Sequence, residues 1–229
     1  MKKTLSLLLA VLVLASFSVT AFAGPSQEAD FAPEFVEEAA EQTVDKVTVV
    51  DEATGEEVEI TDAEVVVSAV SLEDIDASEE VTEEVKAAVK EAVVAANDTA
   101  KVESAAKAVL AAVTDQKTED DLKARVAEKL GVAADTVDSD VIAANVTISK
   151  VYVPVAKVAE SGAAVVTGTL KQVIPMTEAE RASFVAPMVF NAETGEWEPV
   201  AYEFDADGNL VFEVEANAIV GFLTLVEAE

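Results

Sequence analysis

The chain has 229 residues, with 45 Asp and Glu, 15 Lys and Arg, and a formal net charge of −30. This charge excludes nucleic acid as a natural partner, because phosphate binding requires a basic surface. The absence of both His and Cys excludes disulfides, His-containing catalytic triads, thiol nucleophiles and the usual zinc sites. An enzyme built on this chain would depend on carboxylates, Lys, Tyr, hydroxyl groups or a hard metal ion such as Ca²⁺.

Residues 1–23 predict a secretory signal peptide. Met1–Lys3 is a short basic start, Leu5–Val19 is almost entirely apolar, and Ala21–Ala23 fits the small-x-small rule of signal cleavage. We expect cleavage after Ala23, and an uncleaved membrane anchor is the alternative. The mature product is then expected to be secreted, with no membrane insertion, because no later stretch is long and apolar enough to span a bilayer.

Residues 24–42 form an acidic lead-in, which we interpret as a linker. Pro33 is well placed to start a short helix, since proline is tolerated in the first turn. Phe31 and Phe35 lie four residues apart and would hold such a helix to the body. A mobile linker is an equally good interpretation of this stretch.

Residues 43–76 change to an apolar period of two, which indicates a β element. Strands over 47–50 and 56–60 flank a turn, in which Gly55 supplies the positive φ that a hairpin loop needs. A third strand is predicted over 64–70. This element is a candidate to pair with strands from the C-terminal part of the chain.

Residues 77–132 predict three helices. Ala and Val recur there at helical spacing, and Ser78, Asn97–Thr99 and Thr118 can cap the three starts. Gly131 can end the third helix. Because the apolar side chains are small, each helix buries little area, and we expect the helices to pack against the strands and against one another. A separate bundle and an insertion into the β structure both remain open.

Residues 133–229 return to a period of two, with turns at short and regular spacing, which predicts an antiparallel β domain. Leu210, Phe212 and Val214 alternate with polar or smaller residues, so one face of their strand is buried. A polar turn over Asp205–Asn209 precedes that strand, and residues 177–183 can form one helical turn. The predicted strands cover 141–148, 151–158, 163–174, 188–190, 197–204, 210–214 and 219–226.

The predicted fold class is therefore α+β. It combines a C-terminal antiparallel β-sandwich, an N-terminal β-hairpin with further strands, and a central three-helix segment. The predicted divisions are the signal peptide, the acidic linker, the N-terminal β element, the helical segment and the C-terminal β domain.

Four segments in the last third of the chain resemble a β module common at the C-terminal end of secreted and surface proteins of anaerobic, Gram-positive-type bacteria. The segments are 165–176, 188–190, 195–200 and 207–214. In that module a strand that ends in proline is followed by strands that begin after Asp-Gly turns, as at Asp207 and Gly208 here. The resemblance implies an extracellular location and a structural or adhesive role, and it supplies no catalytic residues.

Two candidate sites follow from the residues themselves. Asp135, Asp138 and Asp140 form an oxygen-rich loop that predicts a weak Ca²⁺ site, with a solvated acidic loop as the alternative. Trp197, the single Trp, follows a turn and is a candidate platform for a sugar ring, with burial in the core as the alternative. The turn at Asp205–Asn209 does not fit a calcium loop of the EF-hand kind, because Gly208 stands at its fourth position and not its sixth.

The function predicted from the sequence is that of a secreted, non-enzymatic extracellular or cell-surface protein with a structural or interaction role. Its expected partners are other extracellular or surface proteins, and no cofactor is expected unless the acidic loop at Asp135–Asp140 binds Ca²⁺. A Ca²⁺- or carbohydrate-binding module is the alternative. A carboxylate-dependent hydrolase is a third class, which the abundance of acids neither favours nor excludes, since pairs of carboxylates are inevitable in this composition.

Overall fold

The structure, a computed structural model, describes residues 30–50, 54–112 and 116–226. The predicted signal peptide and the first part of the acidic linker lie outside the described residues. The described chain forms an α+β fold with two antiparallel sheets, one of seven strands and one of three. The predicted fold class is confirmed.

The elements are numbered in chain order. The strands are β1 Glu41–Val50, β2 Glu57–Ser71, β3 Val146–Val158, β4 Val165–Thr167, β5 Thr169–Ile174, β6 Phe184–Asn191, β7 Glu196–Pro199, β8 Tyr202–Phe204, β9 Leu210–Glu215 and β10 Val220–Leu225. The helices are α1 Glu37–Ala40, α2 Glu83–Ala96, α3 Thr99–Ala112, α4 Gln116–Leu130, α5 Ser139–Ala143 and α6 Glu178–Ser183, with a 3₁₀ turn at Ala134–Thr136.

The large sheet joins strands from both ends of the chain, in the order β4-β1-β2-β3-β10-β6-β7. Its centre is the long antiparallel pairing of β2 with β3, from Val65 opposite Val158 to Ser71 opposite Tyr152. The N-terminal strands therefore belong to the same sheet as the C-terminal ones. The helical segment follows β2 and precedes β3, so it is an insertion between two paired neighbours.

The two faces of the large sheet are covered by different layers. Along β3, Val151, Val153 and Val155 join the core that includes helices α2, α3 and α4. Tyr152 and Ala156, which alternate with them, lie in the cores shared with the small sheet, β5-β9-β8. Alternate side chains of β3 thus belong to cores on opposite faces of the sheet.

The three predicted helices are confirmed, but two of them begin at residues other than those predicted. Helix α2 begins after Thr82, whose hydroxyl accepts from the Val85 N–H at 3.3 Å, and not after Ser78. Helix α4 begins at Gln116, so Thr118 lies within its first turn. Asp98 caps α3 as expected, and Gly131 follows α4 with φ +65°.

The strand pattern is corrected in two places where predicted strands fuse. The two strands predicted over 56–60 and 64–70 are one strand, β2, which continues through Asp62 at φ +51°. The strand predicted over 151–158 begins earlier, as β3, and continues through Lys150 at φ +54°; residues 141–143 are helical in α5. A single residue of positive φ bends each strand without ending it.

Two other predicted strands divide between the sheets. The strand predicted over 163–174 breaks at Gly168 into β4, in the large sheet, and β5, in the small one. The strand predicted over 197–204 likewise becomes β7 and β8, which belong to different sheets. The buried positions shift by one residue at both breaks, from Val165 to Leu170 and from Trp197 to the half-buried Tyr202, as the chain passes from one sheet to the other.

The end of the predicted linker packs against the body. Phe31 lies 6.0 Å from the rings of both Tyr152 and Phe222, measured between ring centroids. Phe35 contacts the cores on the small-sheet side. The short helix is α1, which starts four residues after Pro33, and β1 begins directly after it at Glu41.

A candidate binding groove at the fork between the two sheets

A fork forms where the chain leaves the large sheet for the small one. Strand β4 pairs with β1 only at Thr48 and Val49. At Gly168, φ is +152°, and a Cβ there would lie 2.9 Å from Cγ1 of Val47 and 3.2 Å from the Lys46 carbonyl oxygen. Glycine lets the chain pass this close to β1 and turn away, so β5 diverges from the first half of β1.

The fork opens into a groove of about 770 Å³. Its walls are the first half of β1 with the segment before it, β5, and the β8–β9 hairpin of the small sheet. The lining residues are Val36, Ala39, Gln42, Thr43, Val44, Asp45, Lys46, Thr169, Lys171, Val173, Glu203, Asp205, Asp207, Asn209, Val211 and Glu213. None of these lining residues is aromatic, and the volume is within the usual range for ligand sites.

Gln42 spans the fork. Its side-chain Oε1 accepts from the Lys171 backbone N–H at 2.9 Å, and its Nε2 donates to the Lys171 carbonyl at 3.0 Å. Nε2 also donates to the Ala39 carbonyl at 2.9 Å. Two residues further along β5, the Val173 carbonyl accepts from the Val36 N–H at 3.0 Å.

The charge of the lining is predominantly negative. The carboxylates are Asp45, Glu203, Asp205, Asp207 and Glu213, against the two cations Lys46 and Lys171. Lys46 is paired with Glu59 at 2.5 Å. Across the described residues, the Lys171 ammonium has no carboxylate within ion-pair distance. The groove therefore carries a net negative field that favours cationic ligands.

The predicted turn at Asp205–Asn209 is confirmed and forms one end of the groove. Asp205 Oδ1 accepts from the N–H groups of Asp207 at 3.0 Å and Asn209 at 2.8 Å, and Oδ2 accepts from the Asn209 side chain at 2.9 Å. The Asn209 side-chain hydrogen bond is the main cause of a lowered pKa at Asp205. Asp205 is thus an anion held by its own turn.

Trp197 does not have the exposed ring face that a sugar-binding platform requires. Its side chain is 2 % exposed and packs against Phe190 with 5.4 Å between ring centroids. It belongs to the core between the large sheet and the helices. The alternative weighed for this residue, burial in the core, is what the structure shows, because a ring without an exposed face cannot stack on a sugar.

The three Asp residues of the predicted calcium loop have separate environments. Asp138 caps α5 by accepting from the Val141 N–H at 2.9 Å, and Asp140 pairs with Lys107 at 3.0 Å. Asp135 lies in the 3₁₀ turn. Within the described ranges, no three acidic residues cluster in a way that could hold a metal ion. The calcium site stays a prediction, and it would require Asp138 and Asp140 to leave these partners.

A second, smaller concavity of about 230 Å³ lies where Phe31 meets β3. Its charged lining residues are Glu34, Lys150 and Glu180. The Lys150 ammonium lies 4.9 Å from the centroid of the Phe31 ring and 2.6 Å from Glu180. Partial burial raises the pKa of Glu180, but hydrogen bonds from Lys150 and Thr177 outweigh it and hold the pKa at about 2. The ion pair joins β3 to α6 and holds the ammonium next to the Phe31 ring.

Sequence reasoning missed the groove. Its polar side chains on β5, β8 and β9 follow the ordinary alternation of a half-buried strand, which indicates a solvated face and not a site. Gln42 carries no local signal, because its partner on β5 is 129 residues away in sequence. Gly168 was the one available clue, as glycine within a strand pattern often marks a close approach of two backbones.

Comparison with known proteins gives no relative: no family model, curated protein or solved structure matches the chain. Within the described residues, no helix has both the length and the apolar character required to cross a bilayer.

Proposed function

We propose that this chain is a non-enzymatic interaction module that acts outside the cell, either secreted or at the cell surface, and that it binds an extended basic segment of another protein in the groove. The signal peptide predicted over residues 1–23 supports the location. The resemblance of the last third of the chain to a module of secreted and surface proteins supports the same location and an adhesive role.

The observation that carries the proposal is the charge of the groove. Five carboxylates and two lysines line one concave surface, and one of those lysines is already paired with Glu59 outside the lining. Complementary charge steers a basic partner into such a surface and discriminates against acidic ones. The extreme net charge of −30 adds a long-range attraction of the same sign.

The shape of the groove favours an extended segment over a compact ligand. Its two long walls are strands that diverge, and both present an edge to the space between them. Peptides are commonly bound along such edges, where backbone hydrogen bonds supply affinity and side chains supply specificity.

A binding role is also favoured over hydrolysis. Asp205, the carboxylate at the end of the groove, has a lowered pKa because of its hydrogen bond to Asn209. A general acid in a carboxylate-dependent hydrolase requires the opposite, a raised pKa that keeps the proton near neutral pH.

The experiment compares two variants of equal net charge. The groove variant combines Glu203→Gln, Asp207→Asn and Glu213→Gln, all at exposed positions. The control variant combines Glu84→Gln, Glu91→Gln and Glu128→Gln, exposed on helices α2 and α4. The probe is a ten-residue peptide of alternating Thr and Lys, and the measurement is its dissociation constant in physiological salt.

We expect the groove variant to bind this peptide at least about tenfold more weakly than the wild type, since three specific attractions are lost. The control variant should stay within about twofold, because distant exposed charges are screened. Equal losses in the two variants, or no binding to the wild type at millimolar peptide, would refute the proposed function.

A further inference from the structure

The edge of β5 that faces β1 is covered by the side chain of Gln42, which makes the hydrogen bonds that a neighbouring strand would make. In an antiparallel ladder the outward N–H and C=O groups belong to alternate residues. The Gln42 amide contacts both outward groups of Lys171, and the Val36 N–H contacts the next outward carbonyl, that of Val173. One carboxamide and one backbone N–H thus take the positions that a neighbouring strand would fill.

A primary amide has the same donor and acceptor pair as a peptide group. The contact distances at Lys171, 2.9 and 3.0 Å, equal those of an ordinary backbone ladder. A strand laid along β5 would replace both hydrogen bonds without leaving Lys171 unpaired.

We infer that the extended segment bound in the groove adds to the small sheet as a strand along β5, and that it displaces the side chain of Gln42. This inference rests on the proposed function and names the binding mode of that same site. The Gln42 side chain then competes with the partner strand for the backbone N–H and C=O groups of Lys171.

The rest of the segment before β1 can stay in place while Gln42 moves. Phe31 is anchored in the aromatic cluster around Tyr152 and Phe222, and the Lys150 ammonium lies over its ring. Phe35 packs against the cores on the small-sheet side. The hydrogen bonds of Gln42 to Lys171, in contrast, are exposed to solvent. Exchanging them requires rotation of the side chain and loss of its third hydrogen bond, to the Ala39 carbonyl.

The other face of the fork is consistent with this binding mode. Before Thr48, β1 has a strand partner on only one side within the described residues, since β4 contacts it at Thr48 and Val49 alone. The unpaired side of this half of β1 therefore faces β5. A strand added along β5 would have to widen the fork there, because a single Gln42 side chain already bridges the two strands. Edge protection without a ligand is the competing interpretation of Gln42, because exposed strand edges are commonly blocked against aggregation.

The test uses the full mature chain and the alternating Thr-Lys peptide. Gln42→Ala and Gln42→Met both remove the hydrogen bonds to Lys171, and Met keeps the length of the side chain. Thr61→Val, at an exposed position of β2 outside the groove lining, is the control. We expect both Gln42 variants to bind the peptide about threefold to tenfold more tightly than the wild type, because the competitor is gone. Thr61→Val should leave the affinity unchanged.

Hydrogen exchange at the Lys171 amide distinguishes strand addition from binding by charge alone. In Gln42→Ala this amide should exchange faster than in the wild type, and saturating peptide should slow it again by at least about tenfold. Peptides N-methylated on all Thr or on all Lys provide a second readout. A strand added to one edge uses alternate N–H groups, so one methylated peptide should bind and the other should not.

Three results overturn the inference and leave the proposed function standing. They are charge-dependent binding that does not change in either Gln42 variant, a Lys171 amide that stays unprotected with peptide bound, and equal behaviour of the two methylated peptides. Self-association of Gln42→Ala with no gain in peptide affinity identifies Gln42 as edge protection only, and it also overturns the inference. Failure of the wild type and of Gln42→Ala to bind any peptide refutes the proposed function itself.

Discussion

The two layers that cover the seven-stranded sheet stabilise it in different ways. The helical layer packs small residues against it, among them Ala92, Ala105 and Ala106, each at most 2 % exposed. On the side of the small sheet the core consists of aromatic rings. Phe222, in β10 of the seven-stranded sheet, contacts Phe31, Tyr152, Phe184 and, from the small sheet, Phe212.

The two layers also differ in what they present to solvent. A helix satisfies its own backbone hydrogen bonds, so α2, α3 and α4 offer a partner side chains only. A three-stranded sheet has two edges whose backbone groups need partners from elsewhere. The candidate groove lies on the strand side, where a concave acidic surface adjoins the edge of β5 that Gln42 and Val36 cover.

The largest expected effect concerns the aromatic cluster. Phe222 is 1 % exposed, and Phe222→Ala should lower the free energy of unfolding by about 3–5 kcal/mol, since burial is lost and a cavity remains. Val109→Ala, in the helical core, should cost only about 1–2 kcal/mol. Urea unfolding of both variants measures the difference. Equal losses would contradict the view that the core on the small-sheet side contributes more per residue.

Gly168→Ala tests the fork at which the strand layer separates from the large sheet. A Cβ at this position meets Val47 and the Lys46 carbonyl, and φ is +152°, so we expect a loss of about 2 kcal/mol. Gly162→Ala is the matched control: φ is +73° there, but a Cβ would meet no atom within 4 Å. The control should cost about 1 kcal/mol. A control that costs as much as Gly168→Ala would show that contact with β1 is unimportant.

A smaller effect, with a defined pH dependence, is expected at Glu180. Its pKa is about 2 in the folded protein, against an ordinary value of 4.5. A lowered pKa stabilises the fold above the ordinary value, and this contribution disappears as the pH falls from about 4.5 to about 2. Glu180→Gln should therefore destabilise the protein by about 1 kcal/mol at pH 7, after allowance for solvent screening.

At pH 2 the stability difference between Glu180→Gln and the wild type should be largely gone. Urea unfolding at both pH values checks this expectation. A difference that is the same at pH 7 and pH 2 would show that the ionised Glu180 carboxylate and its pair with Lys150 do not stabilise the fold.

Local features were predictable from the sequence because they depend on neighbouring residues. The buried face of β9 at Leu210, Phe212 and Val214 is confirmed. The predicted helical turn near 177–183 is α6, which Thr177 and Glu180 cap reciprocally. In both cases spacing and capping within a few residues determine the outcome.

The groove could not be predicted, because it depends on which sheet each strand joins. The residues on both sides of Gly168 are typical of strands, yet they pair with β1 on one side of the break and with β9 on the other. Gln42 and Lys171 meet only after this division has occurred. Trp197 was a candidate because of its position after a turn, and its burial follows from packing against Phe190 and Gly221, far along the chain.

The proposed partner, a basic extended segment, binds the groove of the strand layer and not the acidic surface in general. A titration of the isotopically labelled mature protein with the alternating Thr-Lys peptide, followed by backbone amide shifts in NMR spectra, tests this directly. We expect saturable shifts concentrated in β5, in the β8–β9 hairpin and in the first half of β1. Shifts spread evenly over the exposed acids of helices α2, α3 and α4, or largest there, would contradict it.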